Sequence, residues 1–459
     1  MTNQDFFGTS VAIYGELIAV GATGDKTSGS AVGQVHLFNA TTGQLERTFG
    51  DPTVTDADRF GSVAIDGSHV LIGARTDDTN GINVGQAHLF DSATGNLLQT
   101  FDDPTPTSTD LFGGSVAIGG AYAVIGASGD DTTDLDVGQA HLFDTASGNL
   151  LRTFDYPRAD DSSLAGGAFF GRSVAIDGDN ILIGADGPRL GARAGDAFLF
   201  DAETGDLLQT FDDPTGMAGT QFGWSVAIEN DTVLIGAPGD DTNGSNVGKA
   251  HLFDAATGNL LRTFDDPTVT SNDQFGWSVA IDGNHVLVGA FGDDTTGVNV
   301  GQAHLFDANT GALLQIFNDP TVTDRDLFGQ AVAIDGANVV IGAFRDDTNG
   351  NDVGQAYLFD ANQRTPGDFS GDGFVDNDDL NLLLNNWGDS AVNDGWKKAV
   401  DAPVDNAELN ALLVDWGFGA PAGLATASGG PPLVPEPGAA SLVVLAFAIT
   451  RRGGPRCAG

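Results

Sequence analysis

FGWSVAIDGNHVLVGAFGDDTTGVNVGQAHLFDANTGALLQIF, residues 275–317, is the clearest copy of a unit that fills the first 360 residues of this 459-residue chain. Its opening Phe-Gly pair recurs at Phe7, Phe60, Phe112, Phe170, Phe222, Phe275 and Phe328, at spacings of 53, 52, 58, 52, 53 and 53 residues. Seven copies at this period mean that similar units are stacked on one another. Within the unit, residues 278–281 and 286–289 are β-branched runs joined by Asp282-Gly283, a hairpin signal, and residues 302–306 and 313–317 flank a turn at Thr310-Gly311. No stretch of the unit has helical periodicity. Val286-Leu287-Val288 is apolar on both faces, as in a sheet packed between two neighbours. The small Gly289-Ala290 pair lets those neighbours approach. Four-stranded sheets repeated radially describe a β-propeller. The predicted fold is therefore all-β, a seven-bladed β-propeller over residues 1–362.

The fourth strand, Leu-x-x-Thr-Phe in most copies, begins at Leu45, Leu97, Leu150, Leu207, Leu260 and Leu313, and no seventh follows residues 355–359. An open sheet edge is a pairing liability. The expectation is that the natural precursor extends upstream of Met1 and carries both a closing strand and a signal peptide, since residues 1–5 encode no secretory signal.

The Phe-Gly start, with Gly-Ala-Pro at 236–238 and Gly-Ala-x elsewhere, resembles the FG-GAP repeat of integrin α-subunit propellers and many bacterial surface proteins. Repeats of the integrin type often carry a calcium loop, Asp-x-Asp-x-Asp-Gly, between their first two strands. Here that turn is only Asp282-Gly283-Asn284-His285, so the resemblance transfers no calcium site to it. The Asp-Ala-x-Thr-Gly-x-Leu-Leu turn at 254–261 is also similar to quinoprotein propeller repeats, which keeps an enzyme reading open.

Charge narrows the function. With 63 acidic against 19 basic residues the net charge is −44. Such a surface repels nucleic acid and anionic lipid and needs counter-ions. Cys457 is the single cysteine, so no disulfide staples the fold. Paired carboxylates recur at Asp77-Asp78, Asp130-Asp131, Asp240-Asp241, Asp293-Asp294 and Asp346-Asp347, each followed by Thr. Such pairs either build turns or present oxygens to a hard cation.

His36, His88, His141, His251 and His304 share one position in the third strand, where copies four and seven carry Phe198 and Tyr357. A position that accepts His, Phe and Tyr is filled for its flat ring, so no catalytic or cofactor-binding residue is assigned there. Copy four departs most: its leading loop is longer, Pro188-Arg189-Leu190 replaces Asp-Asp-Thr, and it gathers Arg158, Arg172, Arg189 and Arg193. A unique ligand on a near-symmetric scaffold belongs where the symmetry fails, and propellers bind through loops. Drift in a tolerant loop is the other explanation.

Past Pro366 a different pattern begins. Asp368, Ser370, Asp372, Asp376 and Asp379 fall at positions 1, 3, 5, 9 and 12 of a loop with Gly373 at 6 and the Phe374 carbonyl at 7, the spacing of an EF-hand calcium loop. A short amphipathic helix is predicted from Leu380 to Trp387, and residues 409–417 repeat it. Two such units resemble a type I dockerin, which implies Ca2+ on Asp368, Ser370, Asp372, Phe374, Asp376 and Asp379 and docking to a cohesin-type partner. The second loop keeps only Asp401, Asp405 and Glu408. The dockerin-like module spans 363–419. A linker follows at 420–432. Residues 433–459, with Pro435-Glu436-Pro437, an apolar run and Arg451-Arg452, resemble a PEP-CTERM sorting tail. Its apolar run is shorter than a membrane span, which implies only transient membrane contact.

These features together predict an exported bacterial protein of the cell surface or extracellular space: a non-enzymatic adhesion or scaffold protein with a protein or glycan ligand on its propeller loops. The rival is a polysaccharide-active or quinone-dependent propeller enzyme. Against it, nearly every acid or histidine that could catalyse is repeated around the ring, and an active site needs a unique constellation.

Overall fold

A computed structural model describes residues 3–361, apart from 56, 133–134, 159–166 and 188–193. The calcium-loop residues Asp368, Ser370, Asp372, Phe374, Asp376 and Asp379 lie outside the described residues, as do the rest of the dockerin-like module, the linker and the sorting tail.

Seven antiparallel sheets follow one another as meanders, six in strand order one to four and the last in order one to three. The unit at 275–317 folds as read, with strands Ser278–Asp282, His285–Ala290, Gln302–Asp307 and Leu313–Asn318. The first strand of each sheet touches the first strands of both neighbouring sheets, and Phe7–Tyr14 touches Ala331–Asp335, so the first strands ring a central axis and the circle is closed. The structure is a seven-bladed β-propeller, and its described residues contain no helix. Six blades have four strands. The seventh has three among the described residues, Ala331–Asp335, Asn338–Ala343 and Gln355–Asp360, and its third strand is half-exposed where the equivalent strands of blades two to six are buried.

The core is built between blades. Second strands such as His285–Ala290 bury five consecutive residues, which explains the run without alternation. Fourth strands expose their leucines and bury one Phe, and that ring packs on the third-strand Phe of the next blade, as in Phe264 and Phe306 at 5.1 Å and Phe317 and Phe359 at 5.0 Å. Each such ring contributes roughly 1.5–3 kcal/mol of burial.

The two glycines of the repeat meet across the same interface. A Cβ built on Gly289 would lie 2.0 Å from the carbonyl oxygen of Gly329, the Gly of the next Phe-Gly. Gly329 itself has a φ of +89°, a conformation that L side chains rarely adopt. The hairpin turn also links blades: Asp282 accepts the Gly336 N–H at 2.7 Å, as Asp66 accepts that of Gly120 at 2.6 Å. The carboxylate at that turn is thus occupied in joining blades.

Candidate functional sites at the blade junctions and the axial mouth

The loops that lead into each first strand share one face of the propeller with the loops between second and third strands. At the junction of the first and second blades these loops gather Asp51, Asp58 and Asp77. Equivalent triads are Asp103, Asp110 and Asp130; Asp266, Asp273 and Asp293; and Asp319, Asp326 and Asp346. In each, one carboxylate oxygen per residue lies within 4.8 Å of the others, and every member is buried. Local turns aim them. Thr53 and Thr55 donate backbone N–H groups to Asp51 and Asp58 at 2.8 and 2.7 Å, and Thr79 does so to Asp77 at 2.7 Å. Burial is the chief cause that raises Asp51 and Asp103 to about 6 and Asp266 to about 7.

The paired carboxylates of the sequence therefore divide into two roles. The second Asp of each pair is exposed and closes its loop, as Asp294 does by accepting the Asn299 N–H at 2.5 Å. The first is fully buried and, in four blades, joins a triad. The third-strand histidines His88, His141, His251 and His304 are core rings, as the exchange of this position for Phe and Tyr indicates, and His36 in the first blade is half-buried. His88 stacks beside Phe60 and bonds Thr100 through Nδ1 at 3.1 Å, and burial lowers it to about 4. His304 faces Ile316 instead of Thr and is lowered further, to about 3.

A family model described as FG-GAP repeat matches residues 2–38, 54–90, 106–143, 159–200, 212–253, 267–306 and 321–359, one segment per blade. The chain belongs to the FG-GAP repeat family. No curated protein matches it. Among solved structures the chain is similar to the computationally designed Ika8 protein, at 16% identity and a TM-score of 0.46, over 78% of this chain and 96% of that one.

In each FG-GAP repeat the residue after Phe-Gly lies at or just before the start of the innermost strand, and the residue after Gly-Ala directly follows the second strand beside it. Both stand at the mouth of the axial channel, on the triad face. Around this mouth the repeats differ. Trp224 and Trp277 lie against each other at 4.2 Å, Phe291 packs on Trp277 at 4.6 Å, and the Arg172 guanidinium lies 3.9 Å over the Trp224 ring. Phe344 continues the aromatic arc, with Phe6 at 5.8 Å and Arg345 over its ring at 5.4 Å. Desolvation, then Arg59 and Arg172, lower Arg75 to about 10, which leaves it cationic at neutral pH. The mouth thus combines an aromatic arc with basic side chains.

The arginines expected to mark a ligand site separate on this map. Arg172 is at the mouth. Arg158 is not: it bridges Asp196 at 2.6 Å and Asp212 at 2.7 Å within the fourth blade. Arg189 and Arg193 lie outside the described residues. The sequence reading missed the triads. Asp51 and Asp58 precede Phe60 at a spacing that recurs before other Phe-Gly pairs, but only the closed fold brings Asp77 to them. It also missed the tryptophans, whose adjacency depends on the first strands being innermost.

Proposed function

We propose that this FG-GAP propeller is a non-enzymatic binding and scaffold protein of the bacterial surface or extracellular space, and that its ligand, an anionic glycan, sits on the axial mouth. The observation that supports this most is the arc of Arg172, Trp224, Trp277 and Phe291, where the sevenfold pattern fails. Aromatic faces stack on pyranose rings, and Arg172 and Arg75 supply positive charge on a body of net charge −44. The acidic remainder of the surface repels polyanions, which confines an anionic ligand to this basic patch. FG-GAP repeats are typical of extracellular or surface proteins. On this reading the dockerin-like module at 363–419, with Ca2+ on Asp368, Ser370, Asp372, Phe374, Asp376 and Asp379, attaches the propeller to a cohesin-type partner, and the tail at 433–459 directs sorting.

The test is a titration of the full chain with soluble polyuronates, followed by tryptophan fluorescence and by release of reducing ends. Saturable quenching that an Arg75→Ala/Arg172→Ala variant, which keeps both tryptophans, loses supports binding at the mouth. No saturable change with any polyuronate overturns the glycan assignment. Release of reducing ends would favour the polysaccharide-active enzyme instead.

A further inference from the structure

The junction triads are short of positive charge and, except around Asp346, which accepts from Gln355 Nε2 at 2.9 Å and from the Tyr357 hydroxyl at 2.8 Å, of protons. Thr53 Oγ1 lies within hydrogen-bond distance of three acceptors, Asp51 Oδ1 at 3.1 Å, Asp77 Oδ2 at 3.3 Å and Gln86 Oε1 at 2.7 Å. A hydroxyl has one proton to give. Thr268 faces the same excess, with Asp266 Oδ1 at 2.9 Å, Asp293 Oδ2 at 3.0 Å and Gln302 Oε1 at 3.1 Å. The other oxygens of Asp51, Asp103, Asp266 and Asp319 have no partner although these residues are only 8, 5, 4 and 3% exposed. In the first triad a neutral side chain also points inward: His88, fully buried, spends Nδ1 on Thr100 and leaves Nε2 without a partner, 3.8 Å from Asp51 Oδ1. Unpaired buried carboxylates are costly unless a cation meets them.

The chain's own repeats show that basic side chains enter these junctions where the acids change. In the fifth blade Thr220 stands in the position of Asp110, and Lys249 in that of Gln139. Lys249, 6% exposed, pairs there with Asp265. In the fourth blade Tyr156, Ala168 and, in sequence, Pro188 replace all three acids. Arg158 then replaces Thr105, and its guanidinium meets Asp196, which stands in the position of Gln139. Where the triad is complete, no Lys or Arg stands at any of these positions. A built-in cation appears only where acids have been lost.

We propose that each of the four complete triads binds one hard divalent cation, calcium by the character of its oxygen ligands, and that these ions join consecutive blades of the propeller. Carboxylates, a threonine hydroxyl and a nearby amide carbonyl are the ligand types that calcium takes, and a ligand shell of six to eight leaves room for water. Asp51 directly follows the last strand of one blade while Asp58 and Asp77 belong to the next. The ion would therefore tie the outer edge of one blade to the inner edge of its neighbour.

The experiment copies the fifth blade into the others. Asp110→Thr with Gln139→Lys, and the matching pairs Asp58→Thr/Gln86→Lys, Asp273→Thr/Gln302→Lys and Asp326→Thr/Gln355→Lys, exchange the bound ion for a lysine that this fold already tolerates. Full-length protein is stripped with chelator and dialysed against CaCl2, and calcium per chain is measured by mass spectrometry. The expected result is one ion fewer for each converted junction and four fewer when all are converted, with the far-UV spectrum kept. Any calcium on the Asp368–Asp379 loop is common to all samples and cancels in the difference, so this result does not depend on the dockerin-like reading or on the glycan ligand. Equal calcium content in the parent chain and in the four single-junction variants would overturn the proposal. Loading of four Mn2+ or Zn2+ ions under conditions where calcium does not bind would overturn the assignment to calcium.

Discussion

Gly342, in the second strand of the last blade, lies so close to Gly8 in the first that a Cβ on Gly342 would fall 2.1 Å from the Gly8 carbonyl oxygen. This contact closes the ring, and it is the same contact that joins Gly289 to Gly329 within it. Gly342→Ala must push two sheets apart. Overpacking of this kind costs about 1–3 kcal/mol. Urea unfolding should show that loss, whereas Gly50→Ala, with nothing within 4 Å of its Cβ, should leave the midpoint nearly unchanged.

Arg158 holds the fourth blade where other blades hold a triad. Its removal takes the guanidinium from Asp196, which is 4% exposed and also accepts from the Tyr156 hydroxyl at 2.5 Å. Breaking a fully buried pair costs about 3–5 kcal/mol, and solvent screening of the partly exposed Arg158 lowers this to roughly 1–3 kcal/mol. Arg158→Met should show this loss in denaturant titrations. Double substitution with Asp196→Gln should recover most of it.

His251 is held at about 4, below its ordinary 6.5, chiefly by burial. The unfolded chain therefore takes up this proton more readily than the folded one. The stability linked to His251 is fully present above about pH 6.5 and is lost as the pH falls toward 4. Each unit corresponds to about 1.4 kcal/mol. His251→Phe, which copies Phe198 of the fourth blade, should lose about 2 kcal/mol less than the parent chain between pH 6.5 and 4.5. Equal pH profiles for the two proteins would show that His251 takes no part in acid unfolding.

Trp224 and Trp277 are close enough to couple electronically, and Arg172 caps the pair. Near-ultraviolet circular dichroism should show a coupled indole band that vanishes in Trp224→Phe. Arg172→Ala should shift the tryptophan emission and cost about 0.5–1 kcal/mol, the usual worth of a surface cation–π contact. An unchanged emission spectrum would mean that the guanidinium does not sit over the ring in solution.

The sequence by itself determined the repeat, the count of blades and the strands within them, because these follow from local pattern. Asp282-Gly283 turns the chain, Val286-Leu287-Val288 needs cover on both faces, and Gly289 permits the approach of the next sheet. It also showed six closing strands for seven blades, and the last sheet has three strands among the described residues. Tertiary structure decided how identical residues divide their work. Asp293 and Asp294 are neighbours in the chain, yet one is buried in a triad and the other closes an exposed loop. Arg158 and Arg172 are fourteen positions apart in one repeat, and only the ring places one inside a blade and the other at the axis. The triads and the aromatic mouth join residues from different loops and blades. Their formation depends on the closure of the circle, a long-range relationship that no local pattern encodes.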